Sequence, residues 1–499
     1  MNLKVIILCL LILFSSFSSL AKTFKIFLGP ESYAPYDIRV SSSVYGTTNA
    51  AIFGFLLKSN DVHEINPGLI HQWKFDYKQK KYYLTLGEEK FHNGREINSK
   101  DLEFSIVRGF ISKVENYHKI YFSDIYGSEK LKPGMKFVSG MLPGVKIVSN
   151  KTIEIKLKSI NPVFLLHFAS PLIALVPQEE LSADYFSWKR FPVGAGSYRV
   201  EKDYHDDLLI LKKINHNLNK ADLVELYTSP KLIDYDLLFD RNEKLLMKGM
   251  YKTIYSSHPT SISTLFFYRN NSLGNDLNFR KAVYYGIDRF ELAKGFQQYR
   301  PAFELVLPPY ACRKQNSNFY DLDKAKNFIA KVPKNLLESE VIVGVYTDDV
   351  TVPALKTRLN RIAGDLKKLG LNVVFKANSD QYPTTEVMKK YAMKLWSKNV
   401  DLDDPAIVFG SMTSLSPFKN EIPDTNGKFD GLYNDIVTQS SIESRFEKIK
   451  KISSFIDENT LAVPLLQRHP SYMINTKTVK DLGVQTKPLY MDISLIEMF

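Results

Sequence analysis

The pattern of apolar and polar positions along the chain predicts strands and helices in alternation. Alternating or apolar runs typical of strands occupy 25–28, 82–86 and 152–157. Asn98 has a side chain suited to capping a helix, and Asp101 stands at the third helical position, where a carboxylate favours the helix dipole. This mixture indicates an α/β protein.

The clearest unit lies in the second half of the chain. The apolar runs 341–346 and 371–375 predict two buried strands, and between them Pro353 can start a helix that Gly370 is suited to end. Apolar residues recur within that helix at helical spacing: Leu355, Leu359, Ile362, Leu366 and Leu369. This order predicts a β-α-β crossover, in which the two strands are parallel.

Two further helices are predicted over 278–297 and 442–458. Their apolar stripes are Phe279, Val283, Ile287 and Phe290 in the first helix, and Phe446, Ile449, Ile452 and Ile456 in the second. We interpret both stripes as faces that pack into a core rather than as binding surfaces.

The first 21 residues have the layout of a secretory signal peptide. Lys4 precedes an apolar run at 5–14, and the segment ends on a small-x-small cleavage site at 19–21. The apolar run is about half of the roughly 20 residues that span a bilayer as a helix, which disfavours the alternative of an uncleaved anchor. We therefore expect an exported, soluble protein that begins at Lys22.

The two cysteines bear on compartment and anchoring. Cys9 would leave with the signal peptide, so that Cys312 alone remains and no intramolecular disulfide can form. We interpret Cys312 as a buried, inert thiol. Because no Cys follows the cleavage point, we expect no lipid anchor and a periplasmic location.

The formal net charge of +12 is scattered along the chain. Lys and Arg form no dense run beyond short pairs and triplets, which is typical of solvated surface. Zinc-finger spacings and RNA-binding signatures are not found in the sequence. We therefore expect no nucleic-acid partner.

Four stretches together resemble one family of transport proteins. They are 91–105 (FHNGREINSKDLEFS), 191–200 (FPVGAGSYRV), 278–289 (NFRKAVYYGIDR) and 461–465 (LAVPL), the last followed by Tyr472. Each is weak alone, but they occur in the order of the family 5 extracellular solute-binding proteins, which are the dipeptide, oligopeptide and nickel-chelate binders of ABC importers. The resemblance covers most of the chain.

The resemblance implies an α/β fold of the two-lobed periplasmic binding protein class, type II-like, with a hinge between the lobes and an extra inserted domain. Lobe one would comprise 22–45, 175–260 and 470–499, and the domain 46–174 would be inserted into it. Lobe two would comprise 261–469 and contain the β-α-β unit.

The resemblance also implies binding without catalysis. A peptide or peptide-like ligand would lie in the cleft between the lobes, hinge closure would complete its contacts, and an inner-membrane ABC permease would receive it. We expect a monomer that is not an enzyme and has no cofactor.

In the family, an Asp in a W-x-x-D-x-x-D-P motif pairs with the ammonium group of the peptide. The nearest match is 396–405 (WSKNVDLDDP). Alignment on its Asp-Pro end puts Asp401 at the ammonium-binding position, whereas alignment on Trp396 puts Asn399 there. We favour Asp401 because Asp-Pro is the more rigid landmark, and a turn or capping role for Asp401 stays open.

Further candidate ligand contacts come from hydroxyl and aromatic residues. Thr260, Ser261 and Ser263 lie in a segment that resembles the family's crossing strand, where hydroxyl groups either bind a ligand or pair within the hinge. Trp396 and Tyr382 are candidate pocket aromatics, with a place in the core as the alternative.

Three alternatives stay open. A nickel-chelate or haem ligand would suit the family, but the nine His are dispersed, and the one compact cluster, at 205–207, is predicted to form a hairpin turn. An exported hydrolase would need a nucleophile elbow, which 194–197 (GAGS) does not fit. A sensor or scaffold that has lost transport is the third.

Overall fold

The structure is a computed structural model. It describes residues 22–28, 43–59, 64–114, 116, 118–205, 207–215, 219–239, 248–256, 259–306, 319–346, 353–377, 385–399, 406–414, 422–423, 425–485 and 490–499. Four predicted features lie outside these residues: the signal peptide, Cys312, Tyr382 and Asp401.

The elements up to residue 255 are mostly strands. In chain order they are β1 (Thr23–Phe27), α1 (Ser43–Phe53), β2 (Leu57–Ser59), β3 (Ile65–Pro67), β4 (Ile70–Asp76), β5 (Lys81–Leu86), α2 (Ser99–Ile111), α3 (His118–Phe122), β6 (Val145–Ile147), β7 (Thr152–Lys156), β8 (Tyr198–His205), β9 (Leu208–Lys213), β10 (Leu223–Tyr227), β11 (Leu237–Leu238) and β12 (Tyr251–Tyr255).

Helices are more frequent in the second half. In chain order the elements are β13 (Ser261–Phe267), α4 (Ser272–Asn275), α5 (Leu277–Gly286), α6 (Arg289–Ala293), β14 (Tyr299–Pro301), α7 (Leu322–Ile329), α8 (Lys334–Leu337), β15 (Val341–Val345), α9 (Pro353–Lys367), β16 (Val373–Ala377), α10 (Thr385–Lys390), β17 (Met393–Asn399), α11 (Ala406–Gly410), α12 (Lys428–Val437), α13 (Ile442–Glu458), β18 (Ala462–Arg468), β19 (Ser471–Asn475), β20 (Val479–Asp481) and β21 (Glu497–Met498).

Three larger sheets organise the described residues. The seven-stranded sheet has the order β12-β19-β11-β1-β10-β9-β8, the six-stranded sheet β14-β18-β13-β17-β15-β16, and the four-stranded sheet β4-β5-β7-β6. The strand predicted at 25–28 is β1, which pairs in parallel with β10 and β11 inside the seven-stranded sheet. The predicted hairpin at 205–207 is confirmed, because β8 and β9 pair antiparallel with His205 opposite Leu208.

Each sheet has its own apolar core. Leu84 and Ile106 belong to the core of the four-stranded sheet, and Leu211 belongs to that of the seven-stranded sheet. The chain passes between these two cores at 173–176, where successive side chains pack alternately into one and the other. The predicted start of the inserted domain at residue 46 falls inside α1, whose residues 51–53 pack with the seven-stranded sheet.

The predicted β-α-β unit is confirmed. β15 and β16 are parallel, and α9 connects them. Leu359, Ile362 and Leu366 of α9 are buried in the core that this unit shares with α5 and α7. Gly370 has a φ of +80°, the left-handed conformation that a helix end favours.

One helix prediction is wrong in its extent. The predicted helix at 278–297 is two helices, α5 and α6, because Asp288 begins a new helix and its side chain accepts hydrogen bonds from the amides of Phe290 and Glu291. Beyond this break the predicted stripe no longer faces the core, and Phe290 is 42% exposed. The helix predicted at 442–458 is α13, with Ile452 and its apolar neighbours buried as expected.

The predicted cap at Asn98 is confirmed. Its side chain accepts from Lys100 N, while the Asp101 side chain accepts from Asn98 N, which makes a capping box at the start of α2. Arg95 adds an ion pair to Asp101 at 2.7 Å. These residues of the 91–105 motif therefore fix local structure.

Two of the motifs meet where the four-stranded and seven-stranded sheets join. His92 donates from its backbone N to Gly194 O (2.8 Å) and from its Nε2 to Gly196 O (3.0 Å). A Cβ atom on Gly196 would lie 2.2 Å from Ala51 O, so this close approach requires glycine. The motifs at 91–105 and 191–200 therefore join the two sheets.

Candidate ligand-binding site

The chain crosses between the seven-stranded and six-stranded sheets twice, from β12 to β13 and from β18 to β19. The two crossings are hydrogen-bonded to each other: Ser256 N donates to Pro470 O (2.8 Å), Thr260 N to Arg468 O (2.8 Å), and His469 Nδ1 to Ser256 O (3.0 Å). Paired crossings of this kind allow the two sheets to move about one axis.

The crossings mark one end of the six-stranded sheet as the candidate site. The first residue of β13, Ser261, pairs there with the last residues of β17 and β18, Asn399 and Arg468. The parallel strands β15 and β17 have their carboxyl ends at this end. In open α/β sheets, ligands bind in the crevice outside the carboxyl ends of the strands.

The predicted hydroxyl residues lie at this end of the sheet but differ in exposure. Thr260 and Ser261 are buried, whereas Ser263 is half-buried. Ser263 lies opposite Ser397 of β17, and their Oγ atoms are 2.9 Å apart, so the two hydroxyls share a hydrogen bond. Ser397 is exposed and was not predicted from the sequence.

Trp396 lies on the opposite face of β17 from Ser397, because neighbouring side chains in a strand alternate. Its ring packs partly against the core beside Ile262 and lies 4.1 Å from the ring of Tyr346, just beyond β15. The ammonium group of the buried Lys394 is 3.7 Å from the Trp396 ring centroid. The side chains of Trp396 and Ser263 therefore lie on opposite faces of the sheet, at the same end.

A small cavity of 20 Å³ opens beside the two serines. Its lining includes Ser263, Ser397, Tyr346, Arg358, Leu355 and Leu466. Arg358 belongs to α9, whose apolar stripe we interpreted as core. The only sign of a different role was the position of this charged residue between Leu355 and Ile362, at helical spacing from both.

A larger cavity of 490 Å³ lies elsewhere on the six-stranded half of the structure. Lys281, Tyr284, Glu304, Ser453 and Asp457 are among its lining residues, together with Thr460, two residues before the start of β18. Because Arg468 at the crossing is the last residue of β18, this cavity lies toward the other end of that strand.

Among the described residues, no group of three or more His, Cys, Asp or Glu is placed to hold a metal ion. In the same residues, no helix combines the length and the apolar character needed to cross a bilayer. Tyr382 and Asp401, the two remaining predicted contacts, lie outside the described part of the chain.

The family model for bacterial extracellular solute-binding proteins, family 5 (middle), matches residues 64–226 and 232–420. The chain belongs to this family. Its members are the solute-binding proteins of ABC importers, which are transport binding proteins and not enzymes. Among the curated proteins, none matches the chain significantly.

Solved structures of family 5 binding proteins have the same fold over almost the whole chain. NikA from Brucella suis, in complex with Fe(III)-EDTA, has a TM-score of 0.78 at 15% identity and covers 95% of this chain and 100% of its own. DppA from Helicobacter pylori, in complex with the peptide STSA, has a TM-score of 0.71 at 17% identity, covering 95% and 98%.

The Escherichia coli murein tripeptide binding protein MppA has a TM-score of 0.76 at 15% identity, covering 96% of this chain and 99% of its own. At these identities the similarity shows the fold, which is the two-lobed periplasmic binding protein fold that we predicted. Family 5 relatives with the same fold bind metal chelates and peptides, so the fold does not identify the ligand of this chain.

Proposed function

We propose that this family 5 protein captures a peptide or peptide-like ligand between its lobes and delivers it to an inner-membrane ABC permease. The observation that carries the proposal is the arrangement at the crossing end of the six-stranded sheet. There the Ser263–Ser397 hydroxyl pair lies beside the strand ends, and the ring of Tyr346 packs against that of Trp396 at a tilt. Hydroxyl groups suit the polar main chain of a peptide, and the two rings offer apolar surface for its side chains.

The predicted contacts have distinct proposed roles. Asp401 follows the last residue of β17 by two positions and would pair with the peptide ammonium group. Trp396 and Tyr382 would contact ligand side chains. Ser263 would contact the ligand directly, and the buried Thr260 and Ser261 would support the crossing strand that borders the cleft.

We further propose that lobe one contains the seven-stranded sheet and lobe two, at 261–469, the six-stranded sheet. The domain with the four-stranded sheet would begin after α1 rather than at residue 46, because residues 51–53 pack with lobe one. A ligand that touches both lobes favours the closed state by its difference in affinity between closed and open forms. The closed monomer is then the form that a permease would recognise, and no catalytic step is needed.

The compartment is part of the proposal. We propose that residues 1–21 direct export and are removed, so that the mature chain works in the periplasm without a lipid anchor. N-terminal sequencing of the protein recovered from the periplasm tests this, and an N-terminus at Lys22 is expected.

Native mass spectrometry of the purified protein, offered pools of di- to pentapeptides, tests the ligand class. We expect bound peptides, and we expect Asp401→Asn to weaken the binding of peptides with a free ammonium group by about 10- to 100-fold, the range for a charge-assisted hydrogen bond. Asp323→Asn, at an exposed position in the first turn of α7, is the matched control and should bind normally.

Two results would count against the proposal. Binding of a nickel–histidine chelate with no uptake of any peptide would favour the nickel alternative. Hydrolysis of the offered peptides would favour the exported-enzyme alternative. Unchanged binding by the Asp401→Asn variant would remove Asp401 from the site while leaving the ligand class in place.

A further inference from the structure

We propose that the 490 Å³ cavity between α5 and the carboxyl end of α13 binds a small organic amine in its ammonium form, outside the interlobe cleft. This site is additional to the proposed capture of a peptide and does not depend on it. The location of the cavity, its charge, a buried hydroxyl group and an aromatic wall each favour such a ligand.

The cavity belongs to one half of the structure. All the residues that line it fall within 281–460, and α5 and α13 both pack against β13 of the six-stranded sheet. Thr460 in the lining lies two residues before β18 begins, whereas Arg468, which is bonded at the crossings, is the last residue of β18. A ligand in this cavity therefore needs neither the seven-stranded sheet nor hinge closure, which separates the site from the cleft.

Carboxylates dominate the formal charge of the lining. Asp457 and Glu458 come from the last turn of α13, and the third carboxylate, Glu304, is buried. Among the described residues that line the cavity, Lys281 alone is cationic, which leaves a formal charge of −2 from three carboxylates and one ammonium group. Glu304 and Asp457 also have interactions within the chain, so the exposed Glu458 is the carboxylate that an incoming cation would meet most directly.

The two carboxylates of α13 stand where a helix disfavours them. The carboxyl end of a helix carries partial negative charge, which stabilises cations and destabilises anions in the last turn. α13 is 17 residues long and has no basic residue in its last turn. An ammonium ion bound here would therefore be attracted both by the carboxylates and by the helix end.

Ser453 adds a hydroxyl group to the same lining. It is 8% exposed, and its Oγ is buried without a hydrogen-bond partner. A hydroxyl within a helix commonly bonds back to the carbonyl group one turn earlier, and a buried hydroxyl that makes no bond costs free energy. Because Ser453 lines the cavity, a change of its χ1 rotamer can turn this oxygen to accept from an ammonium N–H.

Aromatic rings form the apolar wall. The ring centroid of Tyr284 lies 5.1 Å from that of Tyr285 and 6.1 Å from that of Phe319, and all three residues line the cavity. Lys324, which lies outside the lining, places its ammonium group 4.0 Å from the Tyr285 ring centroid, so an aromatic ring of this wall already attracts an ammonium ion.

The cavity has room for an organic molecule. Its 490 Å³ falls within the range of roughly 300–1,000 Å³ that is usual for small-molecule sites. No group of three or more described His, Cys, Asp or Glu is placed to hold a metal ion, which favours an organic cation over a metal ion here. A small amine with an apolar body would use both the acidic and the aromatic parts of the lining.

The test compares three probes that share a phenyl ring and differ in charge: phenethylamine, phenethyl alcohol and phenylpropionate. Their affinities for the unmodified protein are measured by saturation-transfer NMR. We expect the amine to bind about 10-fold or more tightly than the alcohol and phenylpropionate to bind most weakly. Added salt should weaken the binding of the amine, because part of its attraction is between partly exposed charges.

Two variants locate the binding. Ser454→Trp, at an exposed position in the lining, should fill the cavity and abolish amine binding while peptide binding stays unchanged. Glu458→Gln should weaken amine binding by about 2- to 5-fold and leave the melting temperature unchanged or slightly higher. Glu447→Gln is the matched control, because Glu447 is exposed on α13 and does not line the cavity. Thermal unfolding without ligand checks that each variant is folded.

The outcomes separate this site from the cleft. Equal affinity for the amine and the alcohol would overturn the ammonium site. Full amine binding by Ser454→Trp would also overturn it, and loss of amine binding in Asp401→Asn alone would move the amine to the cleft. Failure of the unmodified protein to bind any peptide, with amine binding that Ser454→Trp abolishes, would overturn the proposed function and support this site.

Discussion

Two buried arginines should respond in opposite directions to the same substitution. Arg280 lies on the buried face of α5 and is 6% exposed, and Arg108 lies in α2 and is 0% exposed. We predict that Arg280→Met destabilises the folded protein strongly, whereas Arg108→Met leaves its stability unchanged or increases it. Methionine preserves much of the apolar stem in both cases, so the difference reports on the guanidinium group.

All three guanidinium nitrogens of Arg280 donate hydrogen bonds to backbone carbonyl groups. Nε donates to Thr460 O (3.0 Å), Nη2 to Asn459 O (3.0 Å) and Nη1 to Asn275 O (2.5 Å), which joins the ends of α13 and α4 to α5. Burial lowers its pKa to about 10, so it stays charged at neutral pH. Loss of three charge-assisted bonds, partly replaced by water, should cost about 3–5 kcal/mol of unfolding free energy.

The guanidinium group of Arg108 has fewer hydrogen bonds to the described residues than that of Arg280. Its one hydrogen bond, from Nη1 to Tyr185 O, is 3.5 Å long, and its Nε and Nη2 have no partner among the described residues. Burial lowers its pKa to about 9, and the ring of Phe186 at 4.8 Å offers partial compensation. Replacing an incompletely paired buried charge with an apolar side chain is often neutral or stabilising, so we expect between no change and about 2 kcal/mol of added stability.

Urea unfolding followed by circular dichroism measures both variants against the unmodified protein, and peptide-resolved hydrogen exchange assigns the change to α2 or to α13. The local readout is needed because a chain with several cores need not unfold in one step. A loss of stability in Arg108→Met as large as that in Arg280→Met would refute the reasoning, since it would mean that the Arg108 nitrogens have strong partners such as buried water.

Two further predictions concern a buried histidine and a pair of glycines. Burial, and then the charge of Arg108, hold the pKa of His118 well below 6.5, so the unfolded chain takes up a proton that the folded chain refuses. This difference in proton uptake should lower the free energy of unfolding by about 1.4 kcal/mol per pH unit below 6.5. His118→Gln should therefore flatten the pH dependence of urea unfolding between pH 7.5 and 5, and a slope identical to that of the unmodified protein would contradict the assignment. Gly196→Ala should destabilise by roughly 2–4 kcal/mol, because its Cβ would meet Ala51 O at 2.2 Å. Gly364→Ala in α9, with open space around its Cβ, should raise the melting temperature slightly, and equal effects of the two glycine substitutions would remove the steric explanation.

Local patterns determined those parts of the fold that depend on neighbours in sequence. The cap at Asn98, the helix α13 and the parallel pair β15–β16 follow from short-range rules of capping, helical spacing and crossover. The apolar periodicity did not predict the break between α5 and α6, because Phe290 continues the apolar stripe although Asp288 caps a new helix. Apolar spacing records which residues tend to face a core, not where the backbone stops being helical.

The candidate site depended on contacts that no local pattern records. Trp396 and Ser263 were predicted from one motif resemblance each, but only the strand register shows that they lie on opposite faces at the same end of the sheet. Arg358 was hidden within a stripe interpreted as core, and its place in the lining of the small cavity became visible only when α9, β13 and β17 were packed together.

The sequence by itself determined the family, the α/β class and the elements whose signals are local, because capping, spacing and turn chemistry act between residues close in the chain. Tertiary structure alone decided which end of the six-stranded sheet faces the crossings and which hydroxyls pair. Those properties arise between residues as far apart as Ser263 and Ser397, whose contact depends on the register of two strands from distant parts of the chain.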